Sequence, residues 1–216
     1  MKHFAIAALS AAVASAAMPA AAYEMGDLLV RFGPALVSPD DSSDSALGDV
    51  VNVRDGSSLG VSVTYMFTDV LGVEVLGALP FDHDLDGKGA LDGVKIGSTN
   101  HLPPTVLLQY APKLSDAFQP YVGAGFNYTM FFREKTSREL DIALAGPTDL
   151  SLSDSKGLAL ELGVDVPMSD NLMFNVSVWN IDIDTTARVK VNGATAATID
   201  VEIDPWVYMV GLGMRF

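Results

Sequence analysis

The sequence contains no cysteine, few basic residues and, beyond its N-terminus, no long apolar run. Without cysteine, the chain cannot form disulfide frameworks, thiolate zinc sites or thiol nucleophiles. Lys and Arg total 13 against 27 Asp and Glu, so the formal net charge is -14. This balance excludes nucleic acid as a partner, because phosphates need a basic surface. Membrane helices after the N-terminus are excluded as well, because each needs ~20 consecutive apolar residues.

The chain is nevertheless hydrophobic. Apolar residues make up 49% of it and charged residues 19%, and its mean hydropathy is +0.29. A hydrophobic chain whose apolar residues are dispersed is typical of a transmembrane β-barrel, in which apolar and small residues alternate along each strand. The length of 216 residues suits a single all-β domain.

The N-terminus has the pattern of a secretory signal peptide. Lys2 and His3 precede an apolar run over residues 4–13, and small residues follow up to Ala22. We expect residues 1–22 to be a cleaved signal peptide and residues 23–216 to be one outer-membrane barrel domain. The alternative is an anchor that is not cleaved.

Apolar residues alternate with small or polar ones in eight segments, which predicts eight strands. The segments are 28–38, 59–67, 72–81, 101–111, 119–132, 157–166, 172–184 and 199–216. Short connections alternate with long ones over 39–57, 82–100, 133–155 and 185–198. We therefore expect an all-β, eight-stranded antiparallel transmembrane β-barrel with short periplasmic turns and long extracellular loops.

A soluble lipocalin-like barrel would also show eight alternating segments. The small residues on the face opposite the apolar one and the aromatic residues near segment ends favour the membrane barrel. So does the C-terminal Phe216, which we expect to act as the signal read by the outer-membrane assembly machinery.

Several stretches resemble the OmpW family of outer-membrane proteins, which includes the AlkL-type alkane-uptake proteins. They are Thr64-Tyr65-Met66 with Thr68-Asp69; Gly72-Val73-Glu74 through Pro80-Phe81; His101-Leu102-Pro103-Pro104-Thr105; Pro120-Tyr121-Val122-Gly123-Ala124-Gly125 with Asn127-Tyr128-Thr129; Ser177-Val178-Trp179 with Asp182-Ile183-Asp184-Thr185-Thr186; and Asp204-Pro205-Trp206 with Arg215-Phe216. The resemblance covers nearly all of the chain after residue 22. The long loops do not obviously match, and loops commonly carry partner specificity.

The resemblance implies a bacterial outer-membrane channel for passive uptake of small hydrophobic molecules through a narrow apolar lumen, with lateral release into the bilayer. The alternative is a structural or surface-interaction protein whose acidic loops meet lipopolysaccharide, ions or receptors. The expected partners are outer-membrane lipid, lipopolysaccharide and hydrophobic solutes, and a monomer would suffice. No cofactor is expected. We also expect no enzymatic activity, because Ser98 and His101 lack a supporting acid at useful spacing.

The alternation assigns residues to faces. If Val73, Val75, Leu79 and Phe81 face lipid, then Leu76 faces inward. We expect Leu76, Phe131, Trp179 and Ile181 to form the apolar lining or gate of the lumen. Asp182 and Asp184 would then face outward, so the sequence allows either a bulge that flips the phase or an apolar vestibule above the membrane, which we favour.

Charged residues are predicted at the periplasmic end of the interior. We expect Glu74 and Asp165 to pair with Arg31 and Arg215 as a plug, because an unpaired charge in a narrow barrel is costly. The alternative is that each of these residues only fills a small lumen.

Two further features are prolines and a run of acids. Pro80, Pro103 and Pro104 cannot donate ladder hydrogen bonds, which suggests a lateral opening between the third and fourth segments. Alternatively, these prolines shape the rim.

Asp82, Asp84 and Asp86 resemble the start of a calcium loop but lack its closing Glu. An acidic, solvated loop is the favoured alternative.

Overall fold

The computed structural model describes residues 23–45, 48–115 and 117–216, so the expected signal peptide over residues 1–22 lies outside the described residues. The strands within these ranges are β1 (Leu28–Ser38), β2 (Ser42–Asp44), β3 (Val51–Val53), β4 (Gly56–Met66), β5 (Leu71–Ala78), β6 (Phe81–Gly87), β7 (Lys95–Leu102), β8 (Thr105–Tyr110), β9 (Gln119–Thr136), β10 (Thr148–Leu152), β11 (Ser155–Pro167), β12 (Leu172–Ile181), β13 (Asp184–Val191), β14 (Ala194–Glu202) and β15 (Trp206–Arg215). Helical structure is limited to a 3-10 turn, Gly89–Leu91, and one short helix, α1 (Arg138–Ala143). No helix in the described ranges is long and apolar enough to cross a membrane.

Eight of the strands close into an antiparallel barrel. Their order around the barrel is β1, β4, β5, β8, β9, β11, β12 and β15, and β15 pairs back with β1. The predicted eight-stranded antiparallel barrel is therefore confirmed. Connections of residues 67–70, 111–118 and 168–171 join neighbouring strands at one end, which we call the turn end. The opposite end is called the loop end.

The outer wall of the barrel is an apolar belt. On β11, Leu158, Leu160 and Leu162 are each more than half exposed, while Glu161 between them is buried. The same alternation runs along the other barrel strands. A surface with so many exposed aliphatic side chains is suited to contact with the hydrocarbon core of a membrane. Aromatic residues flank the belt, as they do in the interfacial girdles of membrane barrels. These aromatic residues include Tyr65 and Tyr110 at the turn end, and Tyr128 and Trp206 at the loop end.

The predicted long loops contain much more regular structure than expected. Strands β6 and β7 form a hairpin that spans the predicted loop 82–100, and β13 and β14 form another that spans the predicted loop 185–198. Strand β10 extends the second hairpin. Helix α1 begins at Arg138 and is capped by Ser137, whose side chain accepts a hydrogen bond from the Leu140 backbone N–H. Each hairpin has an apolar face that points inward and an acidic face that points outward. A sequence reading that equates acidic segments with loops misses this second layer.

The inward and outward faces exchange between β5 and β6. Leu76 is buried and Leu79 is exposed, as expected, but Phe81 is only 1% exposed. The expectation that Phe81 faces lipid is therefore wrong. The reason is the break at Leu79–Pro80, which adds one residue to the alternation, so that Phe81, His83 and Leu85 all point inward.

The interior has three layers. At the turn end lies a small apolar cluster of Tyr23, Leu29, Met66, Ala111, Tyr121 and Met173. Above it lies a polar layer around Arg31. A large apolar cluster then fills the barrel from Leu76 and Trp179 up into the two hairpins. Water-filled passage straight along the barrel axis is therefore blocked by packed side chains.

Candidate functional site

An apolar cavity of about 480 Å³ lies at the loop end, within the layer built by the hairpins. Its volume falls in the range of small-molecule sites, roughly 300–1,000 Å³. The wall combines many aliphatic side chains with a few polar ones. Its members include Val51, Val53, His83, Leu85, Ile96, Thr99, His101, Phe131, Leu140, Ile183, Thr185, Ala187, Ile199, Val201 and Ile203. Such a site suits an apolar molecule better than a charged one.

The four residues expected to line the lumen fall at two levels. Phe131 is part of the cavity wall. Leu76, Trp179 and Ile181 are buried in the large apolar cluster nearer the turn end and do not line the cavity. Inward alternation continues unbroken from Trp179 to Ile183, so the bulge that the sequence also allowed is absent there.

Two histidines on the cavity wall are stacked. The ring centroids of His83 and His101 are 4.7 Å apart, with Phe81 on the other face of His101 at 5.4 Å. Phe131 lies 6.0 Å from His101 in a tilted arrangement. The Nε2 atoms of both histidines are buried and have no hydrogen-bond partner among the described residues. The sequence indicated a polar group of the lumen or rim at His101 rather than a catalytic one, but not its pairing with His83.

The histidine pair lies outside the hydrocarbon, because Asp82 and Asp84 face outward from the same strand and are exposed. Burial, with a smaller contribution from the neighbouring His83, lowers the pKa of His101 to about 3. Burial also lowers the pKa of His83, against the opposing effects of the Arg54 carbonyl and two nearby acids. Both rings are therefore neutral at pH 7.

The polar layer is centred on Arg31. Its Nη2 lies 2.7 Å from Asp165 Oδ2, and its Nη1 lies 3.2 Å from Glu74 Oε2. Nη1 also donates to Thr64 Oγ1 at 2.9 Å. All three charged side chains are at most 1% exposed. The hydroxyl of Tyr23 donates to Asp165 from the turn end.

Arg215, the fourth residue expected in the plug, lies elsewhere. Its Nε is 2.9 Å from Asp27 Oδ2, and Glu24 lies 3.9 Å from its Nη2. The expectation that Arg215 pairs with Glu74 or Asp165 is therefore wrong. Arg215 is opposite Leu29 in the ladder, two residues nearer the turn end than Arg31, so the acids at the start of the chain reach it first.

Glu161 is a member of the polar layer that the sequence reading missed. Gln109 Nε2 lies 3.0 Å from Glu74 Oε2 and 3.2 Å from Glu161 Oε2, joining the two carboxylates. Gly123 lies between Gln109 and Glu161, and a Cβ there would come within 2.5 Å of the Glu161 carboxylate. The spacing of Glu161 and Asp165 was the available signal, because residues four apart on a strand share a face.

The three prolines border a break in the barrel wall. The last β5–β8 ladder pair is Leu76 with Thr105, and the next pair along the wall is Phe81 with His101. Residues 77–80 and 102–104 between them form no ladder pair with one another. We call this break the seam.

On each side of the seam, the backbone is hydrogen-bonded to the strand on its far side. The Leu79 backbone N–H donates to Leu59 O, and the Tyr128 backbone N–H donates to Pro104 O. A Cβ added at Gly77 would have open space around it, with no atom within 4 Å. The wall is thus held from both sides but weakly across the seam.

The calcium-loop alternative for Asp82, Asp84 and Asp86 is wrong. These residues lie on strand β6, and an extended strand cannot wrap around an ion. Lys95 pairs with Asp84 at 2.9 Å, and Arg54 pairs with Asp86 at 2.5 Å. A different carboxylate group occurs at the loop end, where ligand oxygens of Asp182, Asp184 and Asp204 lie within 4.8 Å of one another.

Comparison with known proteins gives a consistent result over the whole described chain. The model of the OmpW family matches residues 24–216. Outer membrane protein W of Vibrio cholerae serotype O1 is 44% identical and covers 97% of this chain and 96% of its own. Outer membrane protein W of Escherichia coli K12 is 41% identical over the full length of both.

A solved structure is similarly close. The crystal structure of the outer membrane protein OprG from Pseudomonas aeruginosa superposes with a TM-score of 0.81 and 42% identity. It covers 90% of this chain and 97% of its own.

Proposed function

Because the chain belongs to the OmpW family of outer-membrane proteins, we propose that it admits small hydrophobic molecules to the cell. It lies in the bacterial outer membrane, in contact with lipid and lipopolysaccharide. The loop end then faces the exterior and the turn end the periplasm, as in other barrels of this kind. The observation that carries the proposal is the apolar cavity of about 480 Å³ on the exterior side.

The solute enters the cavity from outside and cannot continue along the axis. Below the cavity, Trp179 and Ile181 are packed with at most 1% exposure, and the Arg31 layer lies beneath them. Carrying an apolar molecule past buried ion pairs would cost several kcal/mol, because charged groups would lose their partners. The solute therefore leaves sideways through the seam between β5 and β8, where Pro80, Pro103 and Pro104 weaken the wall.

The direct test is transport by the purified protein. An alkane-like probe and a polar solute of similar size are added outside lipid vesicles with and without the barrel, and the entry rates are compared. We expect the protein to accelerate entry of the apolar probe only. Equal, negligible entry of both solutes would contradict transport and favour the surface-interaction role.

A matched pair of variants tests the cavity. Phe131 lines the cavity, whereas Phe132 is opposite Asn100 on the outer face of the same strand. Phe131→Arg places a cation in the apolar wall and should slow entry of the apolar probe by about tenfold or more, given the cost of dehydrating charge. Phe132→Arg should leave the rate near that of the unsubstituted protein. Similar rates for both variants would show that the cavity is not on the route.

A further inference from the structure

His101 stands out because its ring is stacked while one of its nitrogens is buried without a partner among the described residues. Its ring lies between Phe81 and His83, and its Nε2 has no hydrogen-bond partner among the described residues. Leaving a buried polar group unpaired costs about 1–3 kcal/mol. Such a cost at the wall of a cavity calls for a functional explanation.

His83 is fixed, in contrast to His101. Its Nδ1 lies 2.5 Å from the Arg54 carbonyl oxygen, so Nδ1 carries the hydrogen and Nε2 is left as an acceptor. That Nε2 lies against Gly56, where a Cβ would approach within 2.7 Å. His83 therefore serves as a rigid, neutral surface on which the His101 ring rests.

We propose that His101 hydrogen-bonds the neutral hydroxyl head of an amphipathic molecule, such as a long-chain alcohol, whose apolar body fills the cavity. This inference rests on the proposed function and names its substrate class. A neutral imidazole offers one donor and one acceptor, which matches a hydroxyl group. His101 lines the cavity, so a hydroxyl head seated there lies next to its ring.

Other head groups fit the site less well. A carboxylate would be buried in an apolar wall without a cation, and the acids at positions 82 and 84 on the outer face of β6 add repulsion. A metal ion between the two histidines is disfavoured by their stacking. The ring planes are only 23° apart, so the in-plane lone pairs do not converge on a point between the rings.

The test uses the protein in lipid nanodiscs at pH 7.5, with three separate probes: dodecan-1-ol, dodecane and dodecanoate. Isoleucine methyl signals report cavity occupancy, because Ile96, Ile183 and Ile199 line the cavity. Side-chain ¹⁵N signals of His83 and His101 report the hydrogen bond. We expect dodecan-1-ol and dodecane to shift the methyl signals and dodecan-1-ol alone to shift the ¹⁵N signals of His101. Dodecanoate should bind more weakly than dodecan-1-ol.

Two variants separate the hydrogen bond from the packing. His101→Phe keeps a stacked ring without nitrogen, so dodecan-1-ol should bind roughly two- to tenfold more weakly, while dodecane is unaffected. Tyr128→Phe is the control, because the Tyr128 hydroxyl lies on the outer face, donates to Asp154 Oδ2 at 2.7 Å and does not line the cavity. It should change neither affinity.

The outcomes are distinguishable. Equal affinities for dodecane and dodecan-1-ol with unmoved histidine signals would overturn the role of His101 and leave the proposed transport function standing. Methyl signals that respond to neither probe would overturn both. The ¹⁵N measurement on the unsubstituted protein decides the question even where His101→Phe fails to fold.

Discussion

Arg31 lies between two carboxylates that would otherwise be buried without a cation. Among the described residues it is the only Lys or Arg that is fully buried, and Glu74, Asp165 and Glu161 surround it at 5% exposure or less. Its ring contact with Tyr121, 4.5 Å from the guanidinium carbon to the ring centroid, fixes the side chain further. One guanidinium thus organises the whole polar layer.

Replacing Arg31 should therefore destabilise the barrel. Arg31→Leu leaves Glu74 and Asp165 as unpaired buried charges, and we expect the free energy of unfolding to fall by about 3–5 kcal/mol. Urea unfolding of the barrel in lipid vesicles measures this change. Arg54→Leu is the control, because its pair with Asp86 is exposed and should contribute about 1 kcal/mol or less. Comparable losses in both variants would contradict the role of Arg31.

The buried histidine pair predicts that the stability of the barrel depends on pH. The pKa of His101 is lowered to about 3 in the folded protein, whereas an unfolded histidine titrates near pH ~6.5. Below about pH 6.5 the unfolded chain takes up a proton that the folded chain excludes, so stability falls as the pH drops.

At pH 5 this loss should be about 2 kcal/mol for His101 alone. Unfolding of the unsubstituted protein and of His101→Phe, followed between about pH 4 and 7.5, isolates the histidine from the carboxylates. We expect the variant to be less sensitive to acid in this window. Identical pH profiles would show that His101 is not a buried neutral group.

At the scale of elements, the seam depends on where two strands stop pairing. By the β5–β8 register, Pro103 comes opposite Ala78 and has no N–H to donate across the seam. Pro104 instead faces β9, where its carbonyl accepts from the Tyr128 N–H. Pro103→Thr therefore restores one backbone N–H toward β5. This hydrogen bond should stabilise the closed wall by about 1 kcal/mol, which lowers the open population about fivefold.

We therefore expect Pro103→Thr to bind dodecane in the cavity normally but to release it into vesicle lipid more slowly. Binding is followed by the isoleucine methyl signals, and release by transfer of the probe to protein-free vesicles. A release rate equal to that of the unsubstituted protein would place the exit elsewhere.

At the scale of the whole molecule, assembly is expected to depend on the last residue. Phe216 is 67% exposed, and its backbone N–H donates to Leu28 O, closing β15 onto β1. Phe216→Ala keeps this backbone bond but removes the aromatic ring. We expect less heat-modifiable folded barrel in cells and little change in the stability of the purified protein. Phe174→Ala, which removes another lipid-facing ring, should assemble normally. Equal folded yields for both would contradict the assembly signal.

The barrel itself was determined by the sequence, because a period of two residues is a local property. Eight alternating segments with three short connections are enough to specify strand number, direction and the lipid-facing residues within an unbroken strand, though not Phe81 beyond the break. The spacing of Glu74, Asp165 and Arg31 likewise indicated inward charges at one end. These conclusions needed no knowledge of which strands touch, because each strand carries its own pattern.

Tertiary structure alone decided which side chains meet. Three contacts depend on the register of neighbouring strands. They are the stacking of His83 on His101, the hydrogen bond from Gln109 to Glu161 across Gly123, and the ion pair of Arg215 with Asp27. A shift of one residue changes the face of every side chain on a strand, as the break before Phe81 shows. The sequence could not locate the cavity for the same reason: its walls come from hairpins whose acidic outer faces hid their apolar inner faces.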